Sequence, residues 1–139
     1  MDFNLTEDQR AIQDMARSFA EAELAPHSAR WDEEKHFPVE EMRAAAALGF
    51  GGIYTQEEHG GSALGRLDAA IIFEELARGD VSTAAFISIH NMATWMIDRY
   101  GSAELRAKYV PRLTTMELIA SYCLTEPGSG SDAGSLRTT

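Results

Sequence analysis

The sequence is poor in cysteine, in basic residues and in long apolar runs, and each scarcity excludes a class of protein. A single cysteine among 139 residues cannot form an intramolecular disulfide, which favours a reducing compartment. Twelve lysines and arginines against 22 acids give a net charge of −10, which argues against binding to nucleic acid or anionic membranes. No run is apolar enough to span a bilayer, and the N-terminus "MDFNLTEDQR" lacks the apolar core of a signal peptide. We expect a cytoplasmic bacterial protein, or a protein of the mitochondrial matrix if the source is eukaryotic.

Recognisable metal and nucleotide motifs are also missing. His27, His36, His59 and His90 have no mutual spacing that suggests a metal site. No lysine follows the glycines as in a P-loop, and the glycine spacing of a dinucleotide-binding fold is absent. Because His90 lies in an apolar segment, we predict a hydrogen-bonded core residue rather than a catalyst.

The residues that are present predict a helical domain. Hydrophobic residues make up 45% and charged residues 24%, enough to bury a core in one domain or a piece of one. Thr6 and Gln9 have the spacing of a capping box at the start of a helix, and Pro26 either kinks it or begins a new segment. The apolar face of this helix is predicted at helical spacing: Ile12, Met15, Ala16 and Phe19.

Four further segments have helical or loop patterns. "HFPVEEMRAAAALGFGG" predicts a short helix with Pro38 in its first turn and Gly49 just past its end, and "TQEEHGGSALGR" predicts a loop. "LDAAIIFEELARGD" is apolar on most sides from Leu67 onward, with Glu74 and Glu75 on a solvated edge. "VSTAAFISIHNMATWMIDRYG" is nearly free of charge, so we expect a buried helix at the centre of a bundle.

The pattern changes towards the end of the sequence. Ser102 begins a helix that Pro111 limits or bends. The segment 119–124 is short and apolar, which predicts a strand with Cys123 buried as an inert small side chain. A turn is expected at Glu126-Pro127-Gly128. Since one strand is not a sheet, the expected organisation is a helical domain over 1–118 and the truncated start of a β domain over 119–139.

The segment "TEPGSGS" carries the chemistry. Gly130 permits a positive φ and close backbone approach, and successive loop amides can form an anion-binding nest. Hydroxyl donors come from Thr125, Ser129 and Ser131. The segment therefore suits a phosphate or the polar edge of a flat ring, although an ordinary Pro-Gly-Ser surface turn has the same composition.

The longer stretch "YCLTEPGSGSD" resembles the signature of the acyl-CoA dehydrogenases, flavoenzymes that desaturate acyl-CoA thioesters between the α and β carbons. Three further stretches resemble the N-terminal region of that family, in the family's order: "LTEDQRAIQDMARSFAEAELAP", "FPVEEMRAAAALGFGGIYTQEEHGGSALGRLDAAIIFEELAR" and "AELRAKYVPRLTTMELIASYCLTEPGSGSD". The likeness implies an all-α N-terminal bundle followed by the first strand of a β domain. Within the family it is strongest to enzymes of short branched substrates, with isobutyryl-CoA the expected substrate.

The resemblance also implies site residues. The FAD contacts would come from one run of the chain: Tyr122, Cys123, Leu124, Thr125, Glu126, Pro127, Gly128, Ser129, Gly130 and Ser131. Ser131 would also touch the acyl-CoA, whereas Glu126 is expected to be a loop carboxylate that accepts local backbone hydrogen bonds. One face of the apolar helix would line the acyl pocket: Ala84, Ala85, Ser88, Ile89 and Met92. The alternative is that these five residues are only core.

The family's mechanism requires parts that these residues do not contain. In most members a glutamate of a later helical domain takes the α proton, so no catalytic residue is expected here and this chain alone is expected to be inactive. The implied partners are an electron-transferring flavoprotein and the other subunits of a homotetramer. Two alternatives remain open: an oxygen-using acyl-CoA oxidase or nitroalkane-oxidising relative, and a non-catalytic helical interaction module or truncated subunit.

Overall fold

The computed structural model describes residues 4–138 and has six α-helices and no β-sheet within that range. The helices are α1 (Glu7–Phe19), α2 (Ser28–Glu34), α3 (Val39–Ala47), α4 (Arg66–Gly79), α5 (Val81–Tyr100) and α6 (Ala103–Thr114). Single turns of other helical types lie at Ala20–Leu24, Glu57–His59 and Ala133–Ser135. The predicted all-α fold class is confirmed.

Helix ends follow the local signals. The Thr6 hydroxyl accepts from the Gln9 amide at 3.1 Å, and the Gln9 side chain accepts from the Thr6 amide at 3.1 Å, which confirms the capping box. Pro26 lies in the turn between α1 and α2 and so begins a new segment. Gly49, with a φ of 89°, follows α3 as predicted. Pro111 lies inside α6, which continues to Thr114.

The core lies between α1, α4 and α5, with the 48–65 loop packed over one end. Leu24, Phe50, Ile72, Leu76 and Ile87 are each no more than 2% exposed. Burying such a side chain contributes about 1.5–3 kcal/mol relative to leaving it in water. Packing rather than helix propensity therefore dominates the stability of this bundle.

Two predicted apolar faces are less buried than their patterns indicated. Met15 on α1 is 36% exposed and Leu67 on α4 is 60% exposed. Both residues contribute to the helical period without contributing to the core.

Glu75 contradicts the expectation of a solvated acidic edge. Its side chain is 3% exposed, and its two carboxylate oxygens accept from the Arg17 guanidinium of α1 at 2.7 and 3.1 Å. The hydrogen bond with Arg17 holds the pKa of Glu75 below its ordinary value, against the opposing effect of burial. Glu74 is exposed as expected. The ion pair between Arg17 and Glu75 holds α1 against α4.

The 48–65 loop is held to the bundle by polar side chains of α5. Asn91, 1% exposed, accepts from the Ile53 amide at 2.6 Å and donates to the Phe50 carbonyl at 2.8 Å. About two turns later, Asp98 accepts from the Gln56 amide at 3.2 Å and from Nδ1 of His59 at 2.7 Å. The loop therefore has a defined place although it contains little regular structure.

Candidate functional site

The segment that was predicted to be a strand is extended but forms no strand within the described residues. Residues 119–125 have no regular secondary structure, since a β-strand requires a neighbour and this part of the chain supplies none. Cys123 is exposed rather than buried, which corrects the expectation of an inert core thiol. Tyr122 is 37% and Leu124 is 36% exposed.

The backbone of this segment is open to a partner. Within residues 4–138, the amides from Ser121 to Thr125 have no hydrogen-bond partner, whereas the preceding amide, that of Ala120, is bonded to His90. Because unpaired backbone donors are favourable only in contact with water or another acceptor, this run can accept a strand or a ligand.

The predicted turn is present. The Glu126 amide donates to the Ser129 carbonyl at 2.9 Å, and the Ser129 amide donates back at 3.1 Å. Gly128 and Gly130 have no positive φ, so the positive φ that Gly130 permits is not adopted in this structure, and there is open space where a Cβ would lie at both positions. What the glycines provide is an approach that no side chain obstructs.

Glu126 has the local role expected of it. Its carboxylate accepts from the Arg137 and Thr138 amides, each at 2.9 Å, and from the Thr138 hydroxyl. These hydrogen bonds, that from the Thr138 hydroxyl first, hold the pKa of Glu126 below its ordinary value. The carboxylate closes residues 126–138 into a loop, and its lowered pKa makes it a weaker base than an ordinary glutamate.

The three hydroxyls of the segment differ. Ser129 is 5% exposed and donates to the Asp132 carbonyl, so its hydrogen atom is committed within the loop. Thr125 and Ser131 are exposed, and their hydroxyls have no partner among the described residues. Of the predicted donors, Thr125 and Ser131 alone are free for a ligand.

The second group of predicted residues lies along α5, which is not buried all round as expected. Its buried side contains Ala84, Ile87, Asn91 and Thr94. Its opposite side, here called the open face, contains Ala85, Ser88, Ile89 and Met92; Ile89 is 37% exposed, and Ser88 and Met92 are half-buried. Ala84, 4% exposed, belongs to the core and not to this face.

His90 of α5 is hydrogen-bonded to the segment that leads to Tyr122. It is the buried, hydrogen-bonded residue that was predicted. It is 0% exposed, and its Nε2 lies 2.9 Å from the Leu113 carbonyl. Its Nδ1 accepts from the Ala120 amide at 3.0 Å. Burial lowers the pKa of His90, so the ring is neutral.

Two half-open pockets lie elsewhere. One, of about 320 Å³, lies between α2, α3 and the start of α5, and the other, of about 390 Å³, lies beside His59, Trp95 and Arg106. Neither is lined by a residue predicted to contact flavin or acyl group. Among residues 4–138, no group of three or more His, Cys, Asp or Glu side chains is arranged to hold a metal ion. In the same range no helix has the length and apolarity needed to cross a bilayer.

A family match over the helical bundle shows the class of protein. Residues 6–117 match the family described as acyl-CoA dehydrogenase, N-terminal domain. The chain belongs to the acyl-CoA dehydrogenase family.

Two members of this family are similar to the chain over nearly its whole length. The chain is 62% identical over 134 residues to the mitochondrial isobutyryl-CoA dehydrogenase of Dictyostelium discoideum, and 58% identical over 135 residues to that of Bos taurus. These matches cover 96% and 97% of this chain but 32% of each relative, so the chain spans about a third of the length of these relatives.

Solved structures have the same fold. A glutaryl-coenzyme A dehydrogenase in complex with glutaryl-CoA is 37% identical with a TM-score of 0.91, covering 98% of this chain and 35% of that one. The FAD complex of PigA is 36% identical with a TM-score of 0.89, covering 96% and 36%.

Proposed function

We propose that this chain forms the N-terminal part of an FAD-dependent acyl-CoA dehydrogenase that desaturates a short branched acyl-CoA, with isobutyryl-CoA the best substrate. The observation that carries the proposal is an extended segment, 121–125, whose backbone amides are unpaired among the described residues. This segment is attached to α5 through the hydrogen bond from the Ala120 amide to His90. The open face of α5 is the second surface that we propose to use.

The residues fit a flavin. Its ring is flat, with polar atoms along its edges, and the segment from Tyr122 to Thr125 presents free amides and an aromatic side chain. Thr125 and Ser131 add free hydroxyls, and the Glu126–Ser129 turn presents two glycines without steric obstruction. When bound, FAD accepts the hydride from the β carbon of the substrate. These residues hold and orient the ring, and backbone donors near it influence its affinity for electrons.

The full set of FAD contacts proposed is the run from Tyr122 to Ser131, and Ser131 also approaches the acyl-CoA. Cys123 and Leu124 contribute through backbone groups, since their side chains have no polar partner among the described residues. Glu126 contributes by closing the loop, and Ser129 by stabilising it through the Asp132 carbonyl. Thr125 is the one side chain of the run that we expect to bond the ring directly.

The acyl group would lie against the open face of α5. Ile89 and Met92 are large and apolar, so they leave room for a short acyl chain rather than a long one. Ser88 is the one polar side chain of this face and lies one turn before Met92. With a net charge of −10, this chain is not expected to hold the phosphates of CoA, which would be bound by other parts of the enzyme.

The proposed whole enzyme contains parts beyond these residues. The α-proton base is expected in a later helical domain, the electrons pass to an electron-transferring flavoprotein, and the subunits form a homotetramer. The proposed domain boundary lies at 118/119, where the helical bundle ends and the unpaired segment begins. The proposed compartment is the bacterial cytoplasm or the mitochondrial matrix, in keeping with one free cysteine and with the mitochondrial names of both relatives.

A chimera tests this function. Residues 1–139 would replace the matching third of the Dictyostelium discoideum relative, and the purified protein would be assayed for flavin absorbance and for dye reduction by isobutyryl-CoA. We expect bound flavin, bleaching on anaerobic addition of isobutyryl-CoA, and little oxygen consumption. A chimera that folds as a tetramer but binds no flavin would contradict the proposal, and rapid oxygen consumption would favour an oxidase.

A matched pair of threonines sharpens the test. Thr125→Ala removes the hydroxyl expected at the ring, whereas Thr115→Ala removes an exposed hydroxyl that bonds the end of its own helix. Loss of one hydrogen bond to the flavin predicts a shift of its absorption band and potential in the first variant only. The 139-residue chain by itself, after desalting, is expected to show no isobutyryl-CoA-dependent dye reduction.

A further inference from the structure

Packing alone does not explain why a histidine occupies position 90. Its ring is 0% exposed, yet each of its two nitrogen atoms bonds to the backbone of a different segment. Nε2 meets the Leu113 carbonyl at the end of α6, and Nδ1 meets the Ala120 amide in the chain that leaves α6. An apolar side chain of the same size would fill the space without making either bond.

The partners determine the tautomer. The Ala120 amide is a donor, so Nδ1 must accept and the proton must lie on Nε2, where it donates to Leu113. The neutral ring satisfies both partners at once. The hydroxyl of Thr94 lies 3.5 Å from Nε2, one turn along α5, and competes weakly for the same proton.

The hydrogen bond from the Ala120 amide to Nδ1 of His90 lies just before the segment that is proposed to contact the flavin. Among the amides from Ala120 to Thr125, that of Ala120 is the one with a hydrogen-bond partner in the described chain, and it lies two residues before Tyr122. Ile119 packs against the core beside it, but an apolar contact can slide along the chain. A slip of one residue in an extended segment exchanges the faces of every following side chain.

We propose that His90 is a positioning residue that sets the register of residues 120–125 against α5, and so fixes the flavin-contacting backbone relative to the open face of that helix. This role rests on the proposed function for its catalytic meaning, but the positioning itself is a property of this chain. Without the bond, Tyr122 and Leu124 could exchange faces with Cys123 and Thr125.

The single exposed cysteine allows the positioning to be measured directly. A nitroxide label on Cys123 of the 139-residue chain broadens the NMR signals of nearby amides. In the unchanged chain, we expect one defined pattern of broadened amides, which includes those of α5 nearest His90. His90→Phe keeps a ring but removes both bonds, and should spread or weaken that pattern.

Two variants and one control separate positioning from stability. His90→Gln keeps one donor and one acceptor at similar reach and should restore the pattern in part. Ala120→Pro removes the same hydrogen bond from its other end and leaves the His90 ring in place, so it remains informative if His90→Phe does not fold. Leu76→Ala truncates a buried core residue of α4, leaves both His90 hydrogen bonds intact, and should leave the pattern unchanged. An unchanged pattern in both His90→Phe and Ala120→Pro would overturn the proposal.

The same variants in the chimera test the consequence for the flavin. We expect His90→Phe to shift the flavin band and potential and to lower kcat about 10- to 100-fold, with a smaller change in KM, since a displacement near 1 Å can cost that much. His90→Gln should recover most of the rate. If the unaltered chimera binds no flavin, the proposed function fails while the cysteine-label result still decides the positioning. Equal spectra and rates for His90→Phe and Leu76→Ala would overturn the catalytic part.

Discussion

Replacing Asn91 by alanine should destabilise the chain strongly, because this side chain satisfies backbone groups of a loop that is otherwise irregular. It accepts from the Ile53 amide at 2.6 Å and donates to the Phe50 carbonyl at 2.8 Å. Its third partner, the Ile87 carbonyl, lies one turn earlier in the same helix and keeps its helical hydrogen bond. Alanine therefore leaves two buried backbone groups without partners.

The magnitude follows from those two groups. A buried donor or acceptor left unpaired costs about 1–3 kcal/mol, with the lower end applying where water can enter. Two such groups predict a loss of about 3 kcal/mol. At a urea dependence of about 2 kcal/mol per molar, the unfolding midpoint should fall by about 1.5 M.

Urea titration followed by far-UV circular dichroism measures this loss. Ser88→Ala, a half-buried position on the same helix, is the control and should change stability by less than about 0.5 kcal/mol. A midpoint for Asn91→Ala equal to that of the control would refute the reasoning, because the loop would then be held by packing alone.

Asn91→Asp tests the same argument by charge. The carboxylate keeps an acceptor for the Ile53 amide but faces the Phe50 carbonyl with a second acceptor. Because the fold disfavours this ionised form, its folded-state pKa should be raised. The deficit relative to the unchanged chain should therefore be largest at neutral pH and smaller in acid, where the protonated group can donate. A deficit that does not depend on pH would contradict this.

Three further predictions concern other parts of the chain. Glu75→Gln should lower the free energy of unfolding by about 1–2 kcal/mol at neutral pH, because it weakens the ion pair with Arg17. Since the folded-state pKa of Glu75 is lowered, this loss, measured by urea titration, should shrink as the pH falls below the ordinary carboxyl value of 4.5. Gly61→Ala would place a Cβ 2.1 Å from the Thr55 carbonyl oxygen, so we expect a loss of several kcal/mol or failure to fold, and a thermal midpoint equal to that of the unchanged chain would contradict the packing of this loop. Closure of the loop by Glu126 should persist above pH 4.5 and be lost at lower pH, since the pKa of this group is also lowered. The protection of the Arg137 amide, which is its exchange rate relative to that of an unstructured peptide at the same pH, measures the closure, and Glu126→Gln should remove the pH dependence of this protection.

The bonds that the sequence could not predict are those between distant residues. Arg17 and Glu75 are 58 positions apart, and Asn91 lies 38 positions from Ile53. A polar residue in an apolar helix was the available signal for Asn91, but nothing in the pattern indicated its partners. The sequence pattern indicates one solvated edge for Glu74 and Glu75 together, because periodicity does not tell which of two adjacent acids faces another helix.

In the candidate site, too, features that depend on neighbouring residues were predictable, and features that depend on distant segments were not. The Glu126–Ser129 turn and the local role of Glu126 were predictable from residues within a short stretch, whereas the expected strand was not formed, because strand pairing depends on a second segment. The free hydroxyls of Thr125 and Ser131 and the committed one of Ser129 could be distinguished only once the loop was folded.

The sequence by itself determined the family, the helices with most of their ends, and the turn at Glu126, because capping, periodicity and turn formation are interactions among residues a few positions apart. The tertiary structure alone decided which side of α5 is open, which acid is buried, and that His90 bonds the segment leading to Tyr122. Those outcomes depend on how whole helices pack, and the free energy of packing is shared among many distant contacts that no local pattern records.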